Sequence, residues 1–405
     1  MRYLHWIGQI RDLMKAQLLA YCMLTGLLVK AQWQATNNPN TQIQCIAAEG
    51  STVLIGTGGG GVYVSTDNAD TWSSPSDCCS DFVFPYIWCT AIEGSEFYAG
   101  TTSGLYRSVD GGATWDPINN GLTGADTMVS AILRDDTTLF AALQSGVFRS
   151  FDNGANWTNA SVGFTGNARA LARHGAYLFA GSAGAGVFRS LDNGDNWAAA
   201  SVGLTNGVVN DFQSVGADLF VATNEGVFRS TDNGDTWTAV NSGILTLTIW
   251  DLLLVNGHLY AASMGGGIYV STDNGASWST DNAGLTYTSM SSLAAGDTYM
   301  YTGVAAMGDV FRHALPAVGL DEGVSGSLIR VYPTLTTGEV IIEDKATPAM
   351  DRTVCVIDAL GRTLKTIRIG YAQRASLYLD GTAGPYNLEI RSADGRVASY
   401  RVVKQ

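Results

Sequence analysis

Basic residues are scarce in this chain. It has 23 Lys and Arg against 36 Asp and Glu among 405 residues, which gives a formal net charge of −13. A surface of this sign repels phosphate backbones and anionic lipids, so no nucleic acid partner is expected. Charged residues of both signs make up only 15%, whereas there are 48 Gly and 10 Trp. This composition is typical of many short strands joined by tight glycine turns and predicts an all-β protein.

The sequence also lacks a hydrophobic run long enough for a stable membrane span. Near its start, a Lys precedes a short apolar run that is followed closely by Ala31 and Gln32. Such a pattern is typical of a secretory signal peptide, whose apolar core is shorter than a transmembrane helix. The sequence therefore predicts a signal peptide over residues 1–31, cleaved between Ala31 and Gln32, with Met14 as an alternative start. A lipoprotein anchored at Cys22 is the competing interpretation.

Cysteine and histidine patterns that hold metals are absent from the sequence. No C-x-x-C pair occurs among the six cysteines and the four histidines show no metal-ligand spacing, so neither a metal nor a cofactor is predicted. The adjacent Cys78 and Cys79 leave three arrangements open: a bond between them, a bond to Cys89, or free thiols. His174 and His258 fall between predicted strands, where we expect solvated turn residues.

The dominant pattern is a repeat with a period near 41 residues. The segment S-x-D-x-G-x-x-W recurs six times, and its Ser residues are spaced by 43, 42, 40, 40 and 41 positions. Five copies match fully, and the first has Ala69 in place of the Gly. We call these segments the repeat turns; they are marked by Asp67, Asp110, Asp152, Asp192, Asp232 and Asp273, and by Trp72, Trp115, Trp157, Trp197, Trp237 and Trp278. The period is that of one four-stranded propeller blade.

Each repeat contains four strand-like pieces, of which the second is apolar on both faces, as expected of a strand buried between neighbours. A last unit at 292–313 keeps three of these pieces and lacks the fourth, and the segment at 32–38 resembles the missing piece. We therefore predict a seven-bladed β-propeller over residues 32–313. Pairing of Trp33 with the strand that ends at Phe311 is expected to close the ring and protect its edges.

The repeat turns resemble the Asp box of sialidases, sortilin-type receptors and the photosystem II assembly-factor propellers. This resemblance implies a hairpin turn between the third and fourth strands of each blade. An Asp such as Asp152 can accept hydrogen bonds from backbone N–H groups of its own turn, Gly154 allows a positive φ, and Trp157 packs back across the hairpin. We therefore expect the Asp residues to be structural and to lie at the blade periphery, away from the central axis.

The repeat ends after His313. Residues 314–327 show no period and are predicted to be a linker. Residues 328–405 alternate like seven short antiparallel strands, which predicts a small immunoglobulin-like β-sandwich.

Three segments of this tail, VYPTLTTGEVIIE, VIDALGRTL and GPYNLEI, resemble the type A C-terminal sorting domain of the bacterial type IX secretion system. Thr334 and Leu335 stand where that family usually has Asn-Pro. The resemblance implies that the secretion machinery is a partner, and that the protein is secreted, either extracellular or attached to the outer cell surface. An accessory sandwich that itself binds a ligand is the alternative.

The innermost strands of a propeller surround its channel, and the loops that enter them open onto one face, where ligands usually bind. Alignment of the seven blades places Cys45, Cys89, Ser130, Ala170, Asp211, Asp251 and Ser292 at one inner position and Gln44, Trp88, Val129, Arg169, Asn210, Trp250 and Ser291 just before it. The residues that vary most in chemistry form the predicted ligand-binding face: Trp88, Arg169, Asn210, Asp211, Trp250 and Asp251. The expected ligand is an extracellular protein or a glycan.

No complete catalytic constellation is found. A sialidase needs three singly placed arginines and a Tyr/Glu pair, but five arginines here occupy one repeat position: Arg107, Arg149, Arg189, Arg229 and Arg312. We expect them to be structural, with their stems on aromatic surface and their heads in water. Asp211 and Asp251 are the candidates for an acid and base of glycoside hydrolysis. A binding protein is the leading hypothesis; a sialidase-like or xyloglucanase-like glycoside hydrolase and a structural adhesion component of the cell surface are the alternatives.

Overall fold

In a computed structural model of the chain, the described residues are 32–37, 42–74, 86–122, 127–305, 308–315, 329–332, 335–336, 339–344, 352–357, 363–370, 374–379, 384–392 and 397–404. The predicted signal peptide, Cys78 and Cys79 lie outside these ranges. Within them every regular element is a strand, and no helix suited to crossing a membrane occurs among these residues. The chain divides into two compact units, Met1–Ala314 and Leu315–Gln405.

The first unit contains seven antiparallel sheets. In chain order its strands are β1 (Gln34–Ala35), β2 (Ile43–Glu49), β3 (Thr52–Thr57), β4 (Val62–Ser65), β5 (Ile87–Glu93), β6 (Glu96–Thr101), β7 (Gly104–Ser108), β8 (Asp116–Pro117), β9 (Val129–Asp135), β10 (Thr138–Leu143), β11 (Gly146–Ser150), β12 (Thr158–Asn159), β13 (Ala168–His174), β14 (Tyr177–Ser182), β15 (Val187–Ser190), β16 (Ala198–Ala199), β17 (Val209–Val215), β18 (Asp218–Thr223), β19 (Gly226–Ser230), β20 (Thr238–Ala239), β21 (Ile249–Val255), β22 (His258–Ser263), β23 (Gly267–Ser271), β24 (Ser279–Thr280), β25 (Met290–Ala295), β26 (Tyr299–Val304) and β27 (Val310–Ala314).

These sheets form a ring. Blades 1 to 6 are β2–β4, β5–β8, β9–β12, β13–β16, β17–β20 and β21–β24, and blade 7 consists of β25, β26, β27 and β1. The first strands of successive blades contact one another in the series β2, β5, β9, β13, β17, β21, β25 and back to β2. The first strands therefore surround the central axis, and the predicted seven-bladed propeller is confirmed.

The amino-terminal segment completes blade 7. Gln34 pairs with Arg312, and Ala35 pairs with Phe311. Trp33, only 2% exposed, donates its backbone N–H to the carbonyl of Ala283 in blade 6 at 2.9 Å. The predicted closure of the ring by this segment is thus confirmed.

The core lies between neighbouring blades. Strand β10 is buried along its whole length, and Phe140 and Ala142 from it pack with Leu178 and Ala180 of the next blade. Small residues on the second strands permit this approach: a Cβ on Gly181 would lie 2.3 Å from Cγ1 of Val209. Second strands that are apolar on both faces therefore pack between neighbouring blades, as predicted from their sequence.

The outer strands are joined by tryptophan hydrogen bonds. In five blades an indole N–H donates to a carbonyl of the preceding blade at 2.7–2.8 Å, and the donors are Trp33, Trp157, Trp197, Trp237 and Trp278. Trp115 is different, because it donates to Gly112 of its own turn at 3.1 Å. These bonds hold the rim of the ring together.

The second unit is a two-sheet β-sandwich. Its strands are β28 (Ile329–Tyr332), β29 (Leu335–Thr336), β30 (Glu339–Asp344), β31 (Arg352–Ile357), β32 (Thr363–Gly370), β33 (Arg374–Tyr378), β34 (Gly384–Ser392) and β35 (Val397–Lys404). One sheet has the order β28-β30-β33 and the other β29-β35-β34-β31-β32. Apolar side chains from both sheets form one core, among them Val340, Ile342, Leu377, Val354, Val356 and Leu388. The predicted sandwich is confirmed. Ala314 belongs to β27 rather than to the linker, and residues 316–327 lie outside the described ranges.

Candidate functional site

The repeat turns use their carboxylates internally. In the turn of blade 5, Asp232 Oδ1 accepts a hydrogen bond from the Ser230 hydroxyl at 2.7 Å and from the Thr236 N–H at 2.9 Å. Its Oδ2 accepts the Thr236 hydroxyl at 2.6 Å. The Thr236 hydroxyl and N–H lower the pKa of Asp232 to about 2, because they stabilise the ionised form. Asp67, Asp110, Asp152, Asp192 and Asp273 have the same two kinds of partner and also have lowered pKa values.

The repeated arginines of the third strands connect blades through their charged heads. Arg149, Arg189 and Arg312 each donate to the backbone carbonyl of an Asn in the repeat turn of the next blade, at 2.7–2.8 Å. Each also forms an ion pair with an Asp of that turn. The sequence did not predict these partners, because comparison of the repeats cannot reveal the turn carbonyls. None of these three arginines is free to bind a substrate carboxylate.

Each inner strand carries a bulge at the predicted ligand-binding position. The pairing skips one residue, as between Val209 and Asp211 of blade 5. The bulged residues are Gln44, Trp88, Ser130, Arg169, Asn210, Trp250 and Ser291. Blade 3 corrects the sequence alignment by one position, because Val129 pairs with Leu143 and Ser130 is the bulged residue. The buried apolar residue that precedes every bulge is the signal that would have given the right register.

Side chains at and after the bulge connect several inner strands to the inner strand of the next blade. Asp211 Oδ2 accepts the N–H of Leu252 at 3.0 Å, and Asp251 Oδ2 accepts the N–H of Leu293 at 2.7 Å. Across the last seam, the Ser292 hydroxyl accepts the N–H of Ile46 at 3.1 Å. Two further members of this inner ring of bonds are Gln213, which accepts from Leu254 at 3.1 Å, and the thiol of Cys89, which donates to Val129 at 3.6 Å. The sequence had not assigned these roles to Ser292, Gln213 or Cys89.

Asp211 and Asp251, in adjacent blades, lie close enough for each to affect the ionisation of the other. Burial, followed by the charge of Asp251, raises the pKa of Asp211 well above its ordinary value. Burial likewise raises the pKa of Asp251, against the opposing effect of its hydrogen bond from the N–H of Leu293. The pair therefore keeps a proton at a pH where solvent-exposed carboxyls have lost theirs.

This shared proton predicts the effect of Asp211→Asn. An unfolded Asp ionises near pH 4, whereas folded Asp211 stays protonated well above that pH. The free energy of unfolding of the wild type therefore falls as pH rises from about 4 towards the folded pKa. Because Asn cannot ionise, we expect the variant to melt several degrees higher than the wild type at pH 8 and at the same temperature at pH 3. Thermal melts at both pH values test this, and a lower melting temperature at pH 8 would contradict it.

The four other predicted residues lie at the bulges of the inner strands. The guanidinium carbon of Arg169 lies 4.8 Å from the ring centroid of Trp250, so blades 4 and 6 meet across the channel. Asn210 Nδ2 donates to the Ile249 carbonyl of blade 6 at 2.6 Å. Trp88 of blade 2 contacts Tyr86 instead, with ring centroids 5.2 Å apart. The structure thus brings Arg169 together with Trp250 and Asp211 together with Asp251, and their role in binding stays a prediction.

Several polar groups at this level lack partners. The indole nitrogens of Trp88 and Trp250 and Oδ1 of Asn210 are buried without a hydrogen bond. Arg169 forms no ion pair with any residue that the structure describes, and burial lowers its pKa. We call Arg169, Asn210 and Trp250 the channel cluster. Its unpaired groups make it a candidate binding site, because unpartnered buried polar groups cost free energy that a ligand or ordered water can recover.

The remaining cysteine and histidine interpretations need correction in part. Cys89 is a free thiol, as are Cys45 and Cys355, so the bond to Cys89 is not formed. His174 is buried, and its ring hydrogen bonds to Ser214 at 3.0 Å. The expectation of a solvated turn was therefore wrong for His174, because the neighbouring blade covers it. Among the described residues, no group of three or more His, Cys, Asp or Glu is placed to hold a metal ion.

The comparisons with known proteins concern the propeller above all. Residues 165–294 match the family model described as the DUF6242 beta propeller domain. The extracellular domain of a hybrid two-component system from B. thetaiotaomicron is similar in structure, with a TM-score of 0.58, 13% identity, and coverage of 93% of this chain and 57% of that one. YCF48 bound to a D1 peptide gives a TM-score of 0.60 at 16% identity, with 72% of this chain and 98% of that chain covered.

A third similar structure is PorZ, described as an essential bacterial surface component of the type-IX secretion system of Porphyromonas gingivalis. Its TM-score is 0.52 at 14% identity, and 91% of this chain and 60% of PorZ are covered. The chain therefore spans about 57% and 60% of the lengths of the two-component system domain and PorZ. No curated protein matches the chain in sequence. At these identities the likeness establishes a shared β-propeller fold.

Proposed function

We propose that this chain is a secreted or cell-surface binding protein that holds its ligand at the channel cluster. The observation that carries the proposal is Arg169, a partly buried cation that stacks on Trp250 and has no ion-pair partner among the described residues. Ligand sites are lined by aromatic side chains with a few polar groups among them, and the channel cluster has this composition. The repeat turns, in this proposal, are Asp boxes that stabilise the rim and take no part in binding.

Export through the type IX secretion system is part of the proposal. It is supported by the resemblance of the tail to a type A sorting domain and by the sandwich architecture of residues 329–404. Similar propellers from extracellular bacterial proteins are consistent with an outer-surface location. A blot of cell fractions, with mass spectrometry of the mature ends, tests this part: a protein retained in the cytoplasm with residues 1–31 intact would contradict it.

Glycoside hydrolysis is less well supported. Retaining glycosidases separate their two carboxyl groups by about 5–5.5 Å and inverting ones by about 6.5–9.5 Å. The charge of Asp251 raises the pKa of Asp211, and each carboxylate accepts a backbone N–H of the next blade. This geometry favours a structural role in the inner ring of bonds. An adhesion component of the surface layer remains an alternative that predicts no dependence on the channel cluster.

The test of the binding function compares the wild type with Arg169→Ala and Trp250→Ala on arrays of glycans and extracellular proteins, beside hydrolysis assays on sialosides and β-glucans. We expect at least one ligand that is bound but not hydrolysed, and that both substitutions lose. Asp152→Ala in a repeat turn is the control, because it lies at the rim and should leave binding intact. Binding that survives both channel substitutions would place the ligand elsewhere and overturn the proposal.

A further inference from the structure

We propose that the channel cluster recognises an acidic saccharide, and that Arg169 binds the carboxylate of a uronic acid unit. This inference rests on the proposed binding function and adds the class of ligand. It follows from the charge of Arg169, its contact with Trp250 and the unpaired polar groups of the cluster. It also follows from the backbone N–H groups of the inner strands, several of which already donate hydrogen bonds.

The charge of Arg169 is not balanced within the described chain. Arg149, Arg189, Arg229 and Arg312 of the third strands all form ion pairs with Asp residues. Arg169 forms none with any described residue, although the chain carries an excess of acidic residues and a formal charge of −13. A partly buried cation without a counter-ion is costly, and a bound anion recovers that cost. The ligand should therefore carry a negative charge.

Stacking on Trp250 prepares Arg169 for a planar anion. The guanidinium carbon lies over the indole ring, 4.8 Å from its centre, so the cation already has an aromatic contact on one side. Its N–H groups lie in the guanidinium plane and remain suited to a bidentate bond with a carboxylate. A stacked arginine is also held in few rotamers, which reduces the entropy lost on binding.

The other unpaired groups of the cluster suit the hydroxyl groups of a sugar. The indole N–H of Trp250 lacks an acceptor, and Oδ1 of Asn210 lacks a donor. By contrast, the rim indoles of Trp157, Trp197, Trp237 and Trp278 all donate to carbonyls. Hydroxyl groups can serve both as acceptors and as donors.

One rim indole departs from that contrast. Trp72 also has a buried nitrogen without a hydrogen bond.

A peptide is disfavoured because the inner strands offer little free backbone. Peptides that bind a sheet edge form main-chain hydrogen bonds with it. Here the N–H groups of Ile46, Leu252, Leu254 and Leu293 already donate to side chains of the preceding blade. A saccharide needs no such edge, since its hydroxyl and carboxylate groups bond to side chains and its flat apolar face packs on indole.

The experiment measures calorimetric binding of trimers of galacturonate, glucuronate and mannuronate to the full chain, beside the methyl ester of each. We expect at least one acid trimer to bind roughly tenfold or more tightly than its ester, since the ester keeps the ring but loses the charge. Arg169→Gln should reduce the affinity for the acid to that for the ester. Trp250→Phe keeps the ring and should lose only a few-fold, and Arg189→Gln, a rim arginine, is the matched control with unchanged binding.

The outcomes separate this inference from the proposed function. If neutral glycans or an acidic peptide such as tetraglutamate bind through Arg169 and Trp250 while no acid trimer does, the saccharide assignment is wrong and the binding function stands. Equal affinity for an acid trimer and its ester would likewise show that the protein does not recognise the carboxylate. If Arg169→Gln and Trp250→Phe alter the binding of no ligand in either set of measurements, both proposals fail.

Discussion

Trp33→Ala is expected to reduce the free energy of unfolding of the propeller by about 3–5 kcal/mol, the range found for large aromatic residues removed from a core. Trp33 is 2% exposed, its indole N–H donates to the carbonyl of Asp281 at 2.8 Å, and its ring lies 5.2 Å from that of His313. The substitution leaves a cavity in the sheet that closes the ring and removes the indole donor to the Asp281 carbonyl of blade 6. Denaturant unfolding followed by tryptophan fluorescence measures the loss.

Trp237→Ala is the matched control for closure. Trp237 is 3% exposed and donates to the Ala200 carbonyl at 2.8 Å, so its removal should cost a similar free energy at a seam inside the chain. Hydrogen exchange distinguishes the two variants. We expect Trp33→Ala to expose the Thr36 amide, which donates to Val310 at 2.9 Å, whereas Trp237→Ala should leave it protected. Full protection of Thr36 in the Trp33 variant would show that the segment is held by other contacts.

Gly203→Ala is expected to be strongly damaging for a single added methyl group at the rim. Gly203 has a φ of +92°, and a Cβ there would lie 2.1 Å from the backbone oxygen of Trp237. Backbone cannot move aside as a side-chain tip can, so the seam between blades 4 and 5 must open. We expect a loss of about 1–3 kcal/mol for overpacking, in addition to roughly 1 kcal/mol for the left-handed conformation.

Gly216→Ala separates these two contributions. Gly216 also has a positive φ, +60°, but a Cβ there would meet nothing within 4 Å. It should therefore show the conformational cost alone. Melting temperatures of both variants give the comparison, with each kcal/mol worth about 2–4 °C in a domain of this size class. Equal losses at the two glycines would mean that the rim accommodates the methyl group without opening.

The ring was predictable because its information is repeated along the sequence. The six S-x-D-x-G-x-x-W segments give the blade length, and the incomplete last unit together with Trp33 gives the closure that Gln34 and Arg312 confirm. Each signal is local and needs no knowledge of long-range contacts. The same holds for the tail, whose alternating pattern gave the sandwich.

The inner strands were harder to predict because their geometry depends on partners in other blades. Ser130 and Val129 were placed one residue out of register, since both neighbours of the bulge in blade 3 are small or apolar and carry little pattern. His174 was misjudged because the residues that bury it, Ser214 and Ala217, come 40 positions or more later in the chain. Contacts of this kind follow from the twist and packing of blades rather than from the sequence of either one.

The pairing of Gln34 with Arg312 also constrains the order in which the protein can mature. Blade 7 is complete only when residues near the amino terminus have paired with the last strand of the propeller. A chain that leaves a ribosome or a membrane channel with its amino-terminal end first therefore has an incomplete ring until almost the whole propeller has emerged. Until then, the third strand of the seventh sheet has no partner on its outer side. Any factor that retains the first few residues during transit would therefore delay the final locking of the structure, and their release would set its timing.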